Sequence, residues 1–163
     1  MKKVKKKIKK RKLTKRTNKK DDKTKYSIIC YYSCKVFLLN ILISLYYDYY
    51  IYSGLFFVLF LTSLLFHSNP THFTGIIDKI SISSVVMYGG YVFLNKLLNI
   101  NIQDTKRIIF SIIIMMTFLT IIFWYVYGYY KNKYCFYKKQ HGFLYHMLVH
   151  IISSLGHILI VIL

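Results

Sequence analysis

Proline occurs once in this chain and glycine seven times in 163 residues, which excludes both a disordered polymer and a turn-rich secreted domain. Cysteine is as scarce. Cys30, Cys34 and Cys135 form no C-x-x-C metal spacing, and an odd number leaves no complete disulfide framework. Cys30 and Cys34 stand four apart and can share a helix face, where small apolar packing is the expected role. Glutamate is absent altogether, so the five acidic residues are all aspartate. There is no internal repeat, no glycine pattern of a binding loop and no long polar stretch to build a separate soluble domain.

What the chain has instead is apolar sequence in runs of membrane length. Hydrophobic residues make up 55% and the mean hydropathy is +0.38. Five segments follow one another: Ile28 to about Tyr47, Ile51 to His67, about Ile76 to Leu98, Ile108 to Tyr127, and Phe143 to Leu163. They predict an all-α fold, an integral membrane bundle of five transmembrane helices spanning residues 26–163. The first segment is interrupted by Lys35 and Asn40; Lys35 lies near one end and can snorkel to the interface. "YYDYY" around Asp48 reads as an aromatic interfacial turn, and Pro70 in "HSNPTHFTG" stops the second helix within a polar connection. Gly89 and Gly90 in the third helix are expected to allow close packing.

Charge is concentrated at one end. Fifteen of the 24 Lys and Arg fall in residues 1–25, a segment that repels itself, cannot bury a core and is expected to be a disordered cytoplasmic arm. The arm is too long, and too many helices follow it, for a cleaved signal peptide. A topology signal and a contact with anionic lipid are both open to it, whereas a nucleic-acid partner is not expected. With the arm inside, five helices place the basic loop holding Lys131, Lys133, Lys138 and Lys139 inside as well. Asp48 and the group Lys96, Asp104, Lys106 and Arg107 then lie outside, so the positive bias favours a cytoplasmic N-terminus.

That topology brings the histidines into register. His67 ends the second helix and Asp78 begins the third on the cytoplasmic side, where the last helix also starts with His146 and His150 four residues apart on one face. Three neutral imidazoles at similar depth leave zinc an open fourth position, the catalytic rather than the closed structural pattern. Ionisable groups so close to lipid are costly and tend to be kept for a use. His157 shares the face but lies deeper and is expected to pack or support; His72 and His141 fall in polar connections and Asp104 in a loop.

The pattern Ser63-Leu-Leu-Phe-His67, then Asp78 eleven positions on, then His146-Met-Leu-Val-His150 resembles the superfamily of alkaline ceramidases, adiponectin receptors and Per1-like (CREST) membrane hydrolases. The His-to-Asp separation looks closer to the ceramidase branch. The resemblance implies that His67, His146 and His150 bind Zn2+, with Asp78 and Ser63 beside the metal to orient water and stabilise the developing oxyanion. It also implies a reduced seven-helix bundle, since loss of one helix pair between the third and the last preserves the parity of the site. The early glutamate common in the family has no counterpart here. The activity implied is zinc-dependent cleavage of an amide or ester bond in a membrane lipid. A second reading, of a different class, is a non-catalytic multi-pass protein that is a degenerate relative or a metal-holding scaffold.

Deleting residues 2–20 is expected to weaken or invert membrane insertion while leaving metal content unchanged. Protease protection of an epitope fused to either terminus measures the orientation; an unchanged orientation would remove the arm's role as a topology signal.

Overall fold

The computed structural model describes residues 28–99, 103–136 and 141–163, so the basic arm at residues 1–25 lies outside the described residues. Within them the regular elements are helical: α1 (Ile28–Tyr46), α2 (Tyr50–Ser68), α3 (His72–Leu98), α4 (Thr105–Lys131) and α5 (His141–Ile162). All five are long and apolar enough to cross a membrane. The all-α bundle read from the apolar runs is the observed fold.

Its polarity runs opposite to that of a water-soluble domain. Leu39, Leu42, Phe57, Leu65, Leu94, Ile112 and Leu119 point outward, while Asn40, Ser44, Ser63, Asp78, Ser154 and His157 are buried. In water, that exterior would be an apolar patch far beyond what a monomer tolerates. Against lipid it costs nothing, and the polar groups inside become the directional contacts between helices.

Most of those contacts run to α5. Asn40 Nδ2 of α1 donates to Ser154 Oγ, and the Tyr52 hydroxyl of α2 bonds His157 Nδ1. Lys96 Nζ of α3 donates to the Val161 carbonyl at 2.6 Å and lies 5.1 Å from the Tyr49 ring centre, which ties the far ends of α3 and α5 together. Helix α4 meets α5 where Gly156 has no side chain: a Cβ there would stand 2.7 Å from Thr117 Oγ1. Gly89 does the same for α3, since its Cβ would meet His157 Cε1 and Nδ1 at 2.8 Å. Gly90, expected to share that role, has nothing within 4 Å of such a Cβ and borders a cavity between α3, α4 and α5 instead.

The helices extend past the apolar runs because their ends are capped by polar residues. Helix α3 starts at His72 rather than near Ile76, with Thr71 as N-cap. The Thr71 hydroxyl accepts from Thr74 N–H at 3.1 Å and the Thr74 hydroxyl accepts from Thr71 N–H at 3.0 Å, a capping box closed by Thr where Glu or Gln is usual. Pro70 falls in the short link between helices. Asp104, read as a loop charge, caps α4 by accepting from Arg107 N–H at 3.2 Å. At the other end α4 runs on to Lys131, four residues beyond the expected Tyr127, through a π-helical turn at Phe123–Tyr127. Helix α1 closes with Asp48 at φ 62°, its N–H reaching Leu45 O at 3.1 Å and that of Tyr49 reaching Ser44 O at 2.8 Å. This is a Schellman turn with aspartate in the left-handed position, and it reverses the chain within three residues.

Two glycine substitutions are expected to act with opposite sign. Gly156→Ala forces α4 off α5 at a cost of about 1–3 kcal/mol. Gly54→Ala, where nothing lies within 4 Å, is neutral or stabilising by up to about 1 kcal/mol through helix propensity alone. Thermal unfolding in detergent measures both, and equal shifts would contradict the packing described.

Candidate metal centre

The beginning of α1, the end of α2 and the beginnings of α3 and α5 meet at one end of the bundle. Gly75 makes the α2–α3 approach possible, since a Cβ there would sit 3.2 Å from the Phe66 ring. With the two helices this close, Ser63 Oγ of α2 donates to Asp78 Oδ1 of α3 at 2.5 Å, both residues being buried. A carboxylate in lipid surroundings needs such a donor, and the hydroxyl supplies a charge-assisted bond without adding a charge. His67 follows Ser63 by four residues on the same face of α2.

The three histidines expected to converge do so. Ring centres of His67 and His146 are 5.1 Å apart, those of His146 and His150 4.7 Å, and those of His67 and His150 5.5 Å. Imidazoles bound tetrahedrally to one zinc have ring centres about 5 Å apart, a spacing these rings share. Among the described residues, however, the donor atoms that lie within 4.8 Å of one another are those of Cys34, His67 and His150, without His146. Phe37 and Phe66 cover the cluster, with centres 5.2 Å from His150 and 5.3 Å from His67.

Helix α1 brings two further residues that the sequence reading did not assign to a site. Between Tyr32 and Leu38 its backbone tightens: Lys35 N–H reaches Tyr32 O at 3.2 Å, Phe37 N–H reaches Cys34 O at 3.0 Å, and Leu38 N–H reaches Lys35 O at 3.1 Å. Three-residue turns eclipse side chains three apart. Cys30, Ser33 and Cys34, at the i, i+3, i+4 spacing of one helix face, all face α5, where Cys30 Sγ points to Phe143 O at 3.7 Å and Ser33 Oγ lies 2.8 Å from His150 Nδ1. Cys34, expected to be simple packing, is buried with its Sγ 4.0 Å from His150 Nδ1. One donor atom each from Cys34, His67 and His150 lie within 4.8 Å of one another, a group able to hold a metal ion. The available signal was position: Cys34 lies in the first half of α1, on the same side as the histidines and beside Lys35, one of the two interruptions of that apolar run. Lys35 itself is exposed, with its ammonium 4.8 Å from the Tyr32 ring centre.

The remaining candidates separate cleanly. Ser63 gives its proton to Asp78, so its hydroxyl orients that carboxylate instead of standing as a donor for an oxyanion. His157 is buried away from the cluster between Tyr52 and Phe56, with ring centres at 5.7 and 5.3 Å, and packs as expected. His72 is exposed on the first turn of α3, and the side chain of His141 lies outside the described residues. Cys135, in the connection after α4, is held by burial up to about 11 and stays a thiol at neutral pH.

Compared with protein-family models, curated proteins and solved structures, the chain matches none. The reading of the site therefore stands on its own geometry.

The Ser63–Asp78 bond is expected to show as coupling in a double-mutant cycle of Ser63→Ala and Asp78→Leu, worth about 0.5–3 kcal/mol of stability. Additive losses would mean that the two side chains do not depend on one another.

Proposed function

We propose that the chain is a multi-pass membrane hydrolase that uses zinc to cleave an amide or ester bond in a lipid, in the manner of an alkaline ceramidase. The observation that carries the reading is the convergence of His67, His146 and His150 at the end of the bundle that also buries the Ser63–Asp78 pair. Three imidazoles with an open fourth position are one arrangement of catalytic zinc. With the basic arm cytoplasmic, this end belongs to the cytoplasmic leaflet.

Zinc held by the three imidazoles would supply Lewis acidity toward the substrate carbonyl and hydroxide at neutral pH. The residues of the chain do the rest. Asp78, its Oδ1 held by Ser63, would act as the general base. It takes a proton from the attacking water and returns it to the departing amine or alcohol, so that the carboxylate is regenerated at the end of the cycle. Ser63 fixes the carboxylate orientation from α2, the helix that also carries His67. Phe37 and Phe66 exclude bulk water from the imidazoles, and the outward leucines let an acyl chain approach from the bilayer.

A second reading has one observation in its favour. Cys34 stands with His67 and His150 in a donor group, and sulfur as a fourth ligand would close the coordination sphere. The chain would then be a metal-holding scaffold without turnover.

Purified protein is expected to hold about one zinc per chain. His67→Ala, His146→Ala and His150→Ala should each lower that content sharply, as measured by elemental analysis. Asp78→Asn should keep the metal and lose about 10²–10⁴-fold in hydrolysis of a ceramide-like amide or a lipid ester. Metal at full occupancy without hydrolysis of either bond would favour the scaffold.

A further inference from the structure

We propose that Ser33 is a positioning residue that selects Nε2 of His150 as the metal-binding nitrogen and thereby keeps Cys34 out of the coordination sphere. The inference rests on the metal reading above and follows from counting protons. Ser33 Oγ lies 2.8 Å from the Cys30 carbonyl oxygen. A carbonyl has no proton to give, so the hydroxyl proton occupies that contact. Ser33 Oγ also lies 2.8 Å from His150 Nδ1, and with its own proton committed it can only accept there. His150 is therefore protonated on Nδ1, and its lone pair is on Nε2.

The consequence concerns Cys34. Its sulfur is 4.0 Å from the same Nδ1 and also faces the Cys30 carbonyl at 3.2 Å. A metal shared by Cys34 and His150 through Nδ1 would need the nitrogen that Ser33 holds. While Ser33 holds it, His150 serves an ion through Nε2 together with His67 and His146, whose rings lie at 5.5 and 4.7 Å. Residues that hold the second nitrogen of a ligating histidine fix its tautomer and ring angle, and their loss typically lowers metal affinity about 10–100-fold. Ser33 thus separates the open three-nitrogen site from the closed sulfur-containing one, although the two differ by a single side-chain partner.

Cobalt titration of the intact protein in detergent tests this, because a thiolate on Co2+ gives an intense near-ultraviolet charge-transfer band that imidazole does not. The unaltered chain should take up Co2+ without that band, and Cys34→Ala should match it in spectrum and affinity. Ser33→Ala should bind Co2+ about 10–100-fold more weakly and gain the thiolate band. Ser33→Thr should restore the original affinity and spectrum, and Ser33→Ala combined with Cys34→Ala should lack the band. A thiolate band in the unaltered chain, a changed spectrum in Cys34→Ala, or a Ser33→Ala variant without the band would overturn the inference. Failure of the unaltered chain to bind Co2+ would instead overturn the metal reading on which it rests.

Discussion

A polar side chain inside a lipid-facing bundle has no water to turn to, so it bonds its own helix backbone, as Ser81 and Ser111 do, or a group on a neighbouring helix. In this chain that neighbouring group is usually on α5. His146, His150, Ser154 and His157 form one stripe along it, and each meets a different point of α1 or α2. Lys96 holds the Val161 carbonyl at the far end, and Gly156 seats α4. Individual contacts of this kind average only about 0.6 kcal/mol between membrane helices. Their strength lies in direction, because burying an unpaired polar group is costly while lipid does not distinguish one apolar face from another. The register of α1, α2 and α3 against α5 is set by where its polar atoms are, and that of α4 by the space left at Gly156.

The candidate metal centre is the end of that stripe. The groups that hold α5 at its middle, Tyr52 with His157 and Asn40 with Ser154, also fix how deep His146 and His150 sit beside His67. Asp78 reaches the same end because α2 and α3 are joined by a three-residue link and approach closely over Gly75. A Schellman turn at Asp48 and a capping box at Thr71 leave so little slack that the parity of the helices carries over into the geometry of the site.

Much of this was legible in the sequence. Five apolar runs correspond to five helices, and helix parity with the i, i+4 spacing of His146 and His150 is enough to bring three imidazoles to one end. Helix ends were misjudged at Thr71 and Asp104, because a cap is one polar residue that an apolar run does not register. The role of Ser63 could not be read, since only the orientation of its hydroxyl distinguishes a bond to Asp78 from a place at the metal. Ser33 and Cys34 share a face with Cys30 by regular helical spacing, but spacing alone does not say that this face meets His150 of α5.

In the proposed function three imidazoles hold one ion at this end of the bundle. X-ray absorption at the zinc edge, recorded on purified protein, tests it most directly. Three bound imidazoles would give scattering from three rings with nitrogen at about 2.0–2.1 Å, one oxygen neighbour and no sulfur. Protein without bound zinc, or a first shell with sulfur at about 2.3 Å in place of one imidazole, would contradict it.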